Sequence, residues 1–521
     1  MCFSVLMFTA YTGGNPYHSK SKALMICTIQ IDDETNCKLI GLDADIRRKL
    51  VTRFKYEIPG ARFQPSVRLG RWDGKVSYFQ LGGSTYINLL PVIMEIVSAA
   101  GYELVLDDRR TYRNSYQFAE FKEDTFANCL WPHGHDRAGQ PIMFRDYQVD
   151  AINVFLQNPQ SVSVISTGAG KTIMTAALSK NVEQYGRSIV IVPSKSLVTQ
   201  TEADYINMGL DVGVYFGDRK DYGKTHIICT WQSVHNLQKS EASDFTIDDF
   251  LKDVVCVIVD ECHSSQASSL RDLLVGAMAK IPIRWGLTGT MPKEEHAKVS
   301  IECSIGHIAG KINAADLQAE GHLSNCHINI MQLIDYGEYK EYQQELKYLT
   351  ENADRLHWIA QFLDSLKASG NTLILVDRIA TGTMLQAYLS DVFSLLSDKP
   401  EVTFIRGSMK VAERKEEFAS VESGTARITI ATFGVAAVGI NVVKIHNIVL
   451  FEAGKSFIKV IQSIGRGLRK GQDKDFVNVY DITSTCKFSK RHLTSRKKYY
   501  AESAYPFSVQ KIDWQSQKGN K

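Results

Sequence analysis

Ten cysteines are spread through the 521-residue sequence, yet no two form a Cys-x-x-Cys pair. A structural zinc site needs about four well-spaced ligands, so that class is disfavoured at once. Scattered thiols also argue against a disulfide framework and for reduced cysteines in a cytoplasm. Low-complexity tracts and internal repeats are absent, and the net charge is only +3. The apolar opening "MCFSVLMFTAY" falls far below the ~20 residues that a membrane span needs. It also lacks the Lys/Arg region and the small-residue cleavage site of a signal peptide. With the polar "TGGNPYHSKSK" it is expected to form a disordered lead over residues 1–24, the folded protein beginning near Met25.

What is present is an ordinary globular composition, 44% hydrophobic and 22% charged. Single cores stop growing near ~250–300 residues, so about three domains are expected. The near-neutral total hides an uneven distribution. Residues 47–75 carry a net +7, residues 483–521 another +7, and the remainder is −11. Two basic regions suit a polyanion gripped at those places, the plainer reading being solvated helix faces.

"IRRKLVTRFKYE" has the helical spacing of Ile46, Leu50, Val51 and Phe54. "SVRLGRW" and "KVSYFQL" flank Asp73-Gly74, a strong hairpin signal, and are expected to pair. "PVIMEIVSAAGYELVL" reads as a helix running into a strand, which makes residues 25–115 a small basic α/β unit. Beyond it, short apolar runs alternate with helices. "SVSVIS", "SIVIVPS", "THIICTW", "VVCVIVD" and "IRWGLTG" are followed by "NTLILVD", "VTFIRG", "RITIAT", "NIVLFE" and "FVNVYDI". Continuously apolar strands belong to parallel sheets covered on both faces, so two doubly wound α/β domains are expected, over 116–315 and 316–521.

"VIVDECHSSQA" sets Asp260, Glu261, Cys262 and His263 side by side. Alone they could be zinc ligands, a thiol with its base, or the acids of a nucleotide hydrolase. "SVSVISTGAGKTIMTAAL" bears on the choice. Gly168 and Gly170 would let the turn of Thr167, Gly168, Ala169 and Gly170 bring its amides onto phosphate oxygens. Lys171 would reach the β/γ-phosphates, and Thr172 would offer its hydroxyl to Mg²⁺. The full P-loop pattern has glycine at 165, where this chain has Ile165. With a P-loop upstream, Asp260 becomes the expected Mg²⁺ holder and Glu261 the base for the attacking water. His263 is expected to couple this site to the facing domain.

"FRDYQVDAI", "TGAGKT", "VPSKSLVTQ", "CTWQSV", "DECH", "GLTGT", "ATFGVAAVGIN" and "QSIGRGLRK" follow one another over residues 144–470. This set resembles the ordered motifs of superfamily 2 helicases. With "RFQPSVRLGRWDGK" ahead of them, the chain is similar to the UvsW-type phage DNA helicases. The resemblance implies two RecA-like doubly wound parallel-sheet lobes preceded by the small α/β domain, with ATP and Mg²⁺ between the lobes. It implies that Gln148 reads the adenine, and that Thr288 and Thr290 link hydrolysis to domain movement. Gln462, Arg466 and Arg469 are implied at the γ-phosphate, the arginines as fingers. Asn441 stands where many relatives carry an acid for the nucleotide sugar. Ser194, Lys195, Thr230, Trp231 and Thr432 are implied strand-backbone contacts, Trp231 having the alternative of a core aromatic.

These readings add up to an ATP-dependent DNA helicase in the cytoplasm, of the host if the source is viral. Its expected partners are branched DNA, forks, junctions and RNA–DNA hybrids, with no membrane. The work expected is fork regression, Holliday-junction branch migration, and D-loop and R-loop unwinding. Arg68, Arg71 and Lys75 would help hold the duplex arm. The alternatives are a duplex translocase or RNA helicase of the same superfamily, or a non-catalytic protein gated by ATP.

Overall fold

The computed structural model describes residues 25–110, 116–132, 137–240, 245–266, 268–395, 401–407, 428–435, 445–454 and 476–516, with 409, 413 and 416 singly. The expectations for residues 1–24, Asn441, Gln462, Arg466 and Arg469 lie outside the described residues.

The first sheet has the order Ser84–Tyr86, Asn36–Ile40, Met25–Ile31, Tyr102–Asp108. Its outer pairing is parallel, from Met25↔Tyr102 to Ile31↔Asp108. The expected helices are present as Ala44–Arg53 and Leu90–Ala99. Asp43 starts the first by accepting from the amides of Asp45 and Ile46, a carboxylate cap of the usual kind. Leu50, Ile93 and Val97 point into a core with Cys27 and Phe79. Val299 and Cys303, from the helix Glu295–Ser304 of the next lobe, belong to the same core. Polar ties follow that seam. The Glu34 amide donates to the Ala279 carbonyl at 2.9 Å, and the Tyr78 hydroxyl donates to the His296 carbonyl at 2.7 Å.

The expected hairpin around Asp73-Gly74 does not form. Lys75–Ser77 pairs instead with Lys55–Glu57, in the register Lys55↔Ser77 and Glu57↔Lys75. Pro65 fixes the first position of a short helix, Pro65–Arg68, and so removes "SVRLGRW" from strand conformation. Gly70 and Gly74, both at positive φ, then turn the chain back toward Lys75.

The second sheet runs Arg219–Lys220, Val212–Phe216, His226–Thr230, Arg187–Val192, Val254–Asp260, Ile283–Thr288, Gln160–Ile165, His307–Ile312. Every pairing is parallel except the first. Its inner strands are buried along nearly their whole length, as expected for a sheet with helices on both faces. The third sheet is wholly parallel, in the order Val402–Ile405, Ile428–Thr432, Thr372–Val376, Asn447–Phe451, Phe476–Ser484, Asn325–Leu333, Phe507–Ile512. Two doubly wound α/β lobes behind a small α/β domain are therefore what the chain builds. Among the described residues, no helix is long and apolar enough to cross a membrane.

Buried ion pairs hold the third sheet to its helices. Arg496, on the helix Lys487–Glu502, grips Asp481 with two hydrogen bonds of 2.8 Å and also reaches the Ala453 carbonyl. Arg355 joins Asp335 at 3.3 Å and Glu452, while Ser484 donates to Asp335 at 2.7 Å. Burial pushes the Glu452 carboxyl up to about 7, against the pull of Arg355. Removing one partner of such a pair leaves an uncompensated buried charge. Arg496→Met is therefore expected to lower the stability of this lobe by about 3–5 kcal/mol, read as a shift in its urea midpoint. Adding Asp481→Asn should recover part of the loss; an unmoved midpoint in the single variant would show that the pair stabilises nothing.

Candidate functional site

The strand Gln160–Ile165 ends at the carboxyl edge of its sheet, and the helix Lys171–Val182 starts after the turn 166–170. Gly168 and Gly170 adopt φ of 91° and 85°, which side-chain-bearing residues rarely take. Space is as tight as conformation: a Cβ on Gly170 would lie 2.6 Å from Gln148 Nε2. No side chain caps the helix at Gly170, so its first amides suit an anion. Ile165 is fully buried as the last strand residue, so the turn begins only at Ser166. That placement accounts for the departure from the longer glycine pattern.

Gln148 sits in the first turn of the helix Asp146–Gln157. Its Oε1 accepts from the Arg145 amide at 3.0 Å, and its Nε2 donates to the Ala169 carbonyl at 2.9 Å. The Tyr147 hydroxyl donates to the same carbonyl at 3.1 Å. Two adjacent side chains thus hold the turn's backbone. The sequence reading noticed Gln148 but missed Tyr147, its neighbour in "RDYQ".

The strand Val254–Asp260 delivers the two acids. Immediately after it Glu261 takes a φ of 52°, with its amide donating to Asp260 Oδ1 at 2.9 Å. The Lys171 Nζ lies 3.4 Å from Glu261 Oε1 and 3.4 Å from the Ile165 carbonyl. Both contacts are long for hydrogen bonds of a buried ammonium, leaving room for a further anionic partner. The Thr288 hydroxyl donates to the Thr290 carbonyl at 2.9 Å and accepts from the Thr290 amide at 3.3 Å. His263 Nδ1 lies 2.9 Å from that same hydroxyl oxygen and 3.4 Å from Glu261 Oε2. Lys171, Glu261, His263, Thr288 and Thr290 therefore form one connected cluster.

Cys262, the residue after Glu261, packs into the core. It is fully buried, its thiol pushed well above its usual range by desolvation, and a Cβ at Gly286 would meet its Sγ at 3.1 Å. Among the described residues, no group of three or more His, Cys, Asp or Glu is placed to hold a metal ion. Thr172 in the first turn of its helix and Asp260 at its strand end carry a hydroxyl and a carboxylate, hard oxygen donors of the kind that Mg²⁺ prefers beside phosphate. These donors fit the ion.

A second set of residues follows neighbouring strands. Thr230 pairs with Val192 across the sheet, which brings the exits at Ser194 and Thr230 side by side. Ser194 caps the helix Lys195–Asn207, and Lys195 is exposed. Thr230 Oγ1 and Ser233 Oγ lie 2.9 Å apart. Trp231 begins the helix Trp231–Lys239 and packs, half-buried, against the core, so most of its ring serves packing. Thr432 ends a strand of the other lobe. Lys293, three residues beyond Thr290, pairs with Glu502 and lies 4.2 Å from the Tyr499 ring centroid. The chain leaving Thr290 is thus tied to the last helix of the other lobe.

Comparisons with known proteins agree with this geometry. Residues 141–293 match the family described as type III restriction enzyme, res subunit, and residues 354–471 match the helicase conserved C-terminal domain. The chain is 25% identical over 465 residues to the ATP-dependent DNA helicase uvsW of Enterobacteria phage T4, covering 86% of this chain and 88% of that protein. It is 23% identical over 391 residues to the DNA 3'-5' helicase XPB of Kineococcus radiotolerans, covering 73% and 67%. In fold it resembles S. cerevisiae Dbp5 bound to RNA and ADP BeF3, at a TM-score of 0.52 and 15% identity, over 72% of this chain and 92% of that one. The two matching models and the helicase relatives make the chain an ATP-dependent helicase, similar to the UvsW-type enzymes of superfamily 2.

Proposed function

We propose that this helicase works on branched DNA, regressing forks, migrating Holliday junctions, and unwinding D-loops and R-loops. One observation carries the reading: a basic N-terminal unit shares a core with the first motor lobe, through Val299 and Cys303. In that unit Arg68, Arg71 and Lys75 are exposed and form no ion pair among the described residues, as suits a surface for duplex phosphates. Residues 25–115 would hold the duplex, and the lobes 116–315 and 316–521 would pull one strand. The similarity to the phage T4 DNA helicase supports DNA as the substrate.

In the ATP site, Lys171 would bind the β/γ-phosphates and Glu261 would take the proton of the attacking water. Thr172 and Asp260 would hold Mg²⁺, which when bound neutralises triphosphate charge. Gln148, tied to the turn at Ala169, would place the adenine beside it. His263, bonded to Thr288, would carry the state of Glu261 to Thr290 and onward to Lys293. Ser194, Lys195, Thr230 and Thr432 would touch the strand backbone, giving grip without sequence readout.

Strand displacement on matched fork, four-way junction, R-loop and RNA duplex substrates tests the reading. Activity confined to the RNA duplex would replace it with an RNA helicase, and ATPase with no displacement at all would leave a duplex translocase.

Lys171→Ala and Glu261→Gln are both expected to stop turnover, but to differ in binding. Without Lys171 a charge-assisted contact to phosphate is lost, and ATP affinity should fall roughly 10- to 100-fold. Without the Glu261 carboxylate the base is lost, and turnover should drop about 10²–10⁴-fold while ATP still binds. Nucleotide titration of each variant checks these roles; equal loss of binding in both would reassign them.

Reversing Arg68, Arg71 and Lys75 together to Glu should weaken junction binding and reduce its salt slope by roughly two to three. ATP affinity should hold. Unchanged junction affinity in a variant with normal melting would place duplex recognition elsewhere, most simply on the basic stretch from Lys487 to Lys498.

A further inference from the structure

The turn from Ala61 to Lys75 carries two well-exposed apolar side chains. Phe63 is 61% and Leu69 is 65% exposed. A single exposed leucine signifies little. Two features give this pair meaning.

The first is stiffness. The turn is closed by its own backbone: the amide of Gln64 donates to Ala61, Arg68 to Gln64, Leu69 to Pro65, and both Arg71 and Trp72 to Ser66. Trp72 locks the return, its Nε1 donating to the Lys75 carbonyl at 2.8 Å. Exposed apolar groups on a stiff support lose little entropy on binding, so the turn is preorganised for contact.

The second is the charge around it. Arg62, Arg68, Arg71 and Lys75 are exposed, and none of them makes an ion pair among the described residues, whereas the nearby Asp73 is neutralised by Lys55 at 2.6 Å. Arg62 lies over the Phe63 ring at 4.8 Å, which steadies the ring without covering it. Cations around bare apolar tips complement a polyanion whose own apolar faces are exposed. A nucleic acid offers such faces only where base pairs end or open.

We infer that Phe63 and Leu69 form a wedge that occupies the branch point and stacks against the last intact base pair, while the surrounding arginines hold the phosphates. This rests on the branched-DNA reading above and adds the group that parts the strands. Its mounting suits the work. The strand Lys55–Glu57 packs against the helix Glu295–Ser304, and Tyr78, whose ring meets Tyr56 edge-on at 5.9 Å, donates to the His296 carbonyl. That helix begins five residues after Thr290. The chain leaving Thr290 therefore leads into a helix that packs on the strand preceding the wedge turn.

The test compares the full chain with Phe63→Ala/Leu69→Ala and with Phe63→Trp. Both side chains are mostly exposed, so melting should be unchanged. In the double variant, junction affinity is expected to stay within about threefold and DNA-stimulated ATPase within about twofold, because phosphate contacts and the motor are intact. Strand separation on a fork should fall roughly tenfold or more, the share of one base-stacking contact, and Phe63→Trp should retain it. A 2-aminopurine at the branch should brighten when wild type binds without ATP, and should not brighten with the double variant. Separation at the wild-type rate, or an unchanged branch signal with wild type, would overturn the wedge alone. Equal loss of binding, ATPase and separation would make the turn a general grip and also overturn it. Wild type that neither separates branched DNA nor gains ATPase from it would remove the underlying reading, and the wedge with it.

Discussion

Lys171 is 9% exposed, and its two neighbours, Glu261 and the Ile165 carbonyl, each stand 3.4 Å from its Nζ. Taking an ammonium out of water costs several kcal/mol unless close, well-aligned acceptors replace the lost hydration. Neither neighbour is close enough to do that fully. The energetic gap matches a polyphosphate, which brings oxygens to the ammonium and meets the uncapped amides of the helix behind it. Much of the first lobe serves this placement. Parallel strands carry Ile165, Asp260 and Thr288 to one edge, and the left-handed residue at Glu261 turns its carboxylate back over the lysine.

The second lobe solves a different problem with the same materials. Its strands end among Asp335, Glu452 and Asp481, which would repel one another in a dry interior. Arg355 and Arg496 are set among them, and the tryptophan Nε1 of Trp514 completes Asp335 at 3.0 Å. Such networks add less stability than apolar packing of equal volume, but a wrong arrangement of them is costly. Helices bearing Arg355 and Arg496 therefore have one favourable position on this sheet.

Much of this was legible in the residues. Continuously apolar runs such as "VVCVIVD" marked inner strands, because burial on both faces leaves no polar alternation to confuse with a helix. Two edge strands escaped notice for the converse reason. His307–Ile312 and Phe507–Ile512 are largely exposed, and their composition follows solvent rather than core. Asn325–Leu333 was missed although it is an inner strand, since its first half alternates and its polar Asn325, His327 and Asn329 mask the run. The hairpin error had a local cause, Pro65 setting a helical turn where Asp73-Gly74 alone suggested strands. The cluster around Lys171 and Glu261 could be anticipated because its residue types fall in short, contiguous motifs. The tie of Tyr147 to Ala169 and the contact of His263 with Thr288 arise from contacts between distant segments, which spacing does not encode.

The helix Glu295–Ser304 lies in the first lobe by sequence, yet it lends Val299 and Cys303 to the core of the N-terminal unit. Modularity is therefore limited at this seam. Excising residues 25–110 would uncover an apolar stripe on the motor, and the excised piece would lack part of its own interior. The two portions are bound to inherit substitutions jointly: a change of volume at Ile93 or Leu90 is felt by a helix some two hundred positions later. Grafting this N-terminal unit onto another motor would require carrying that helix face along with it.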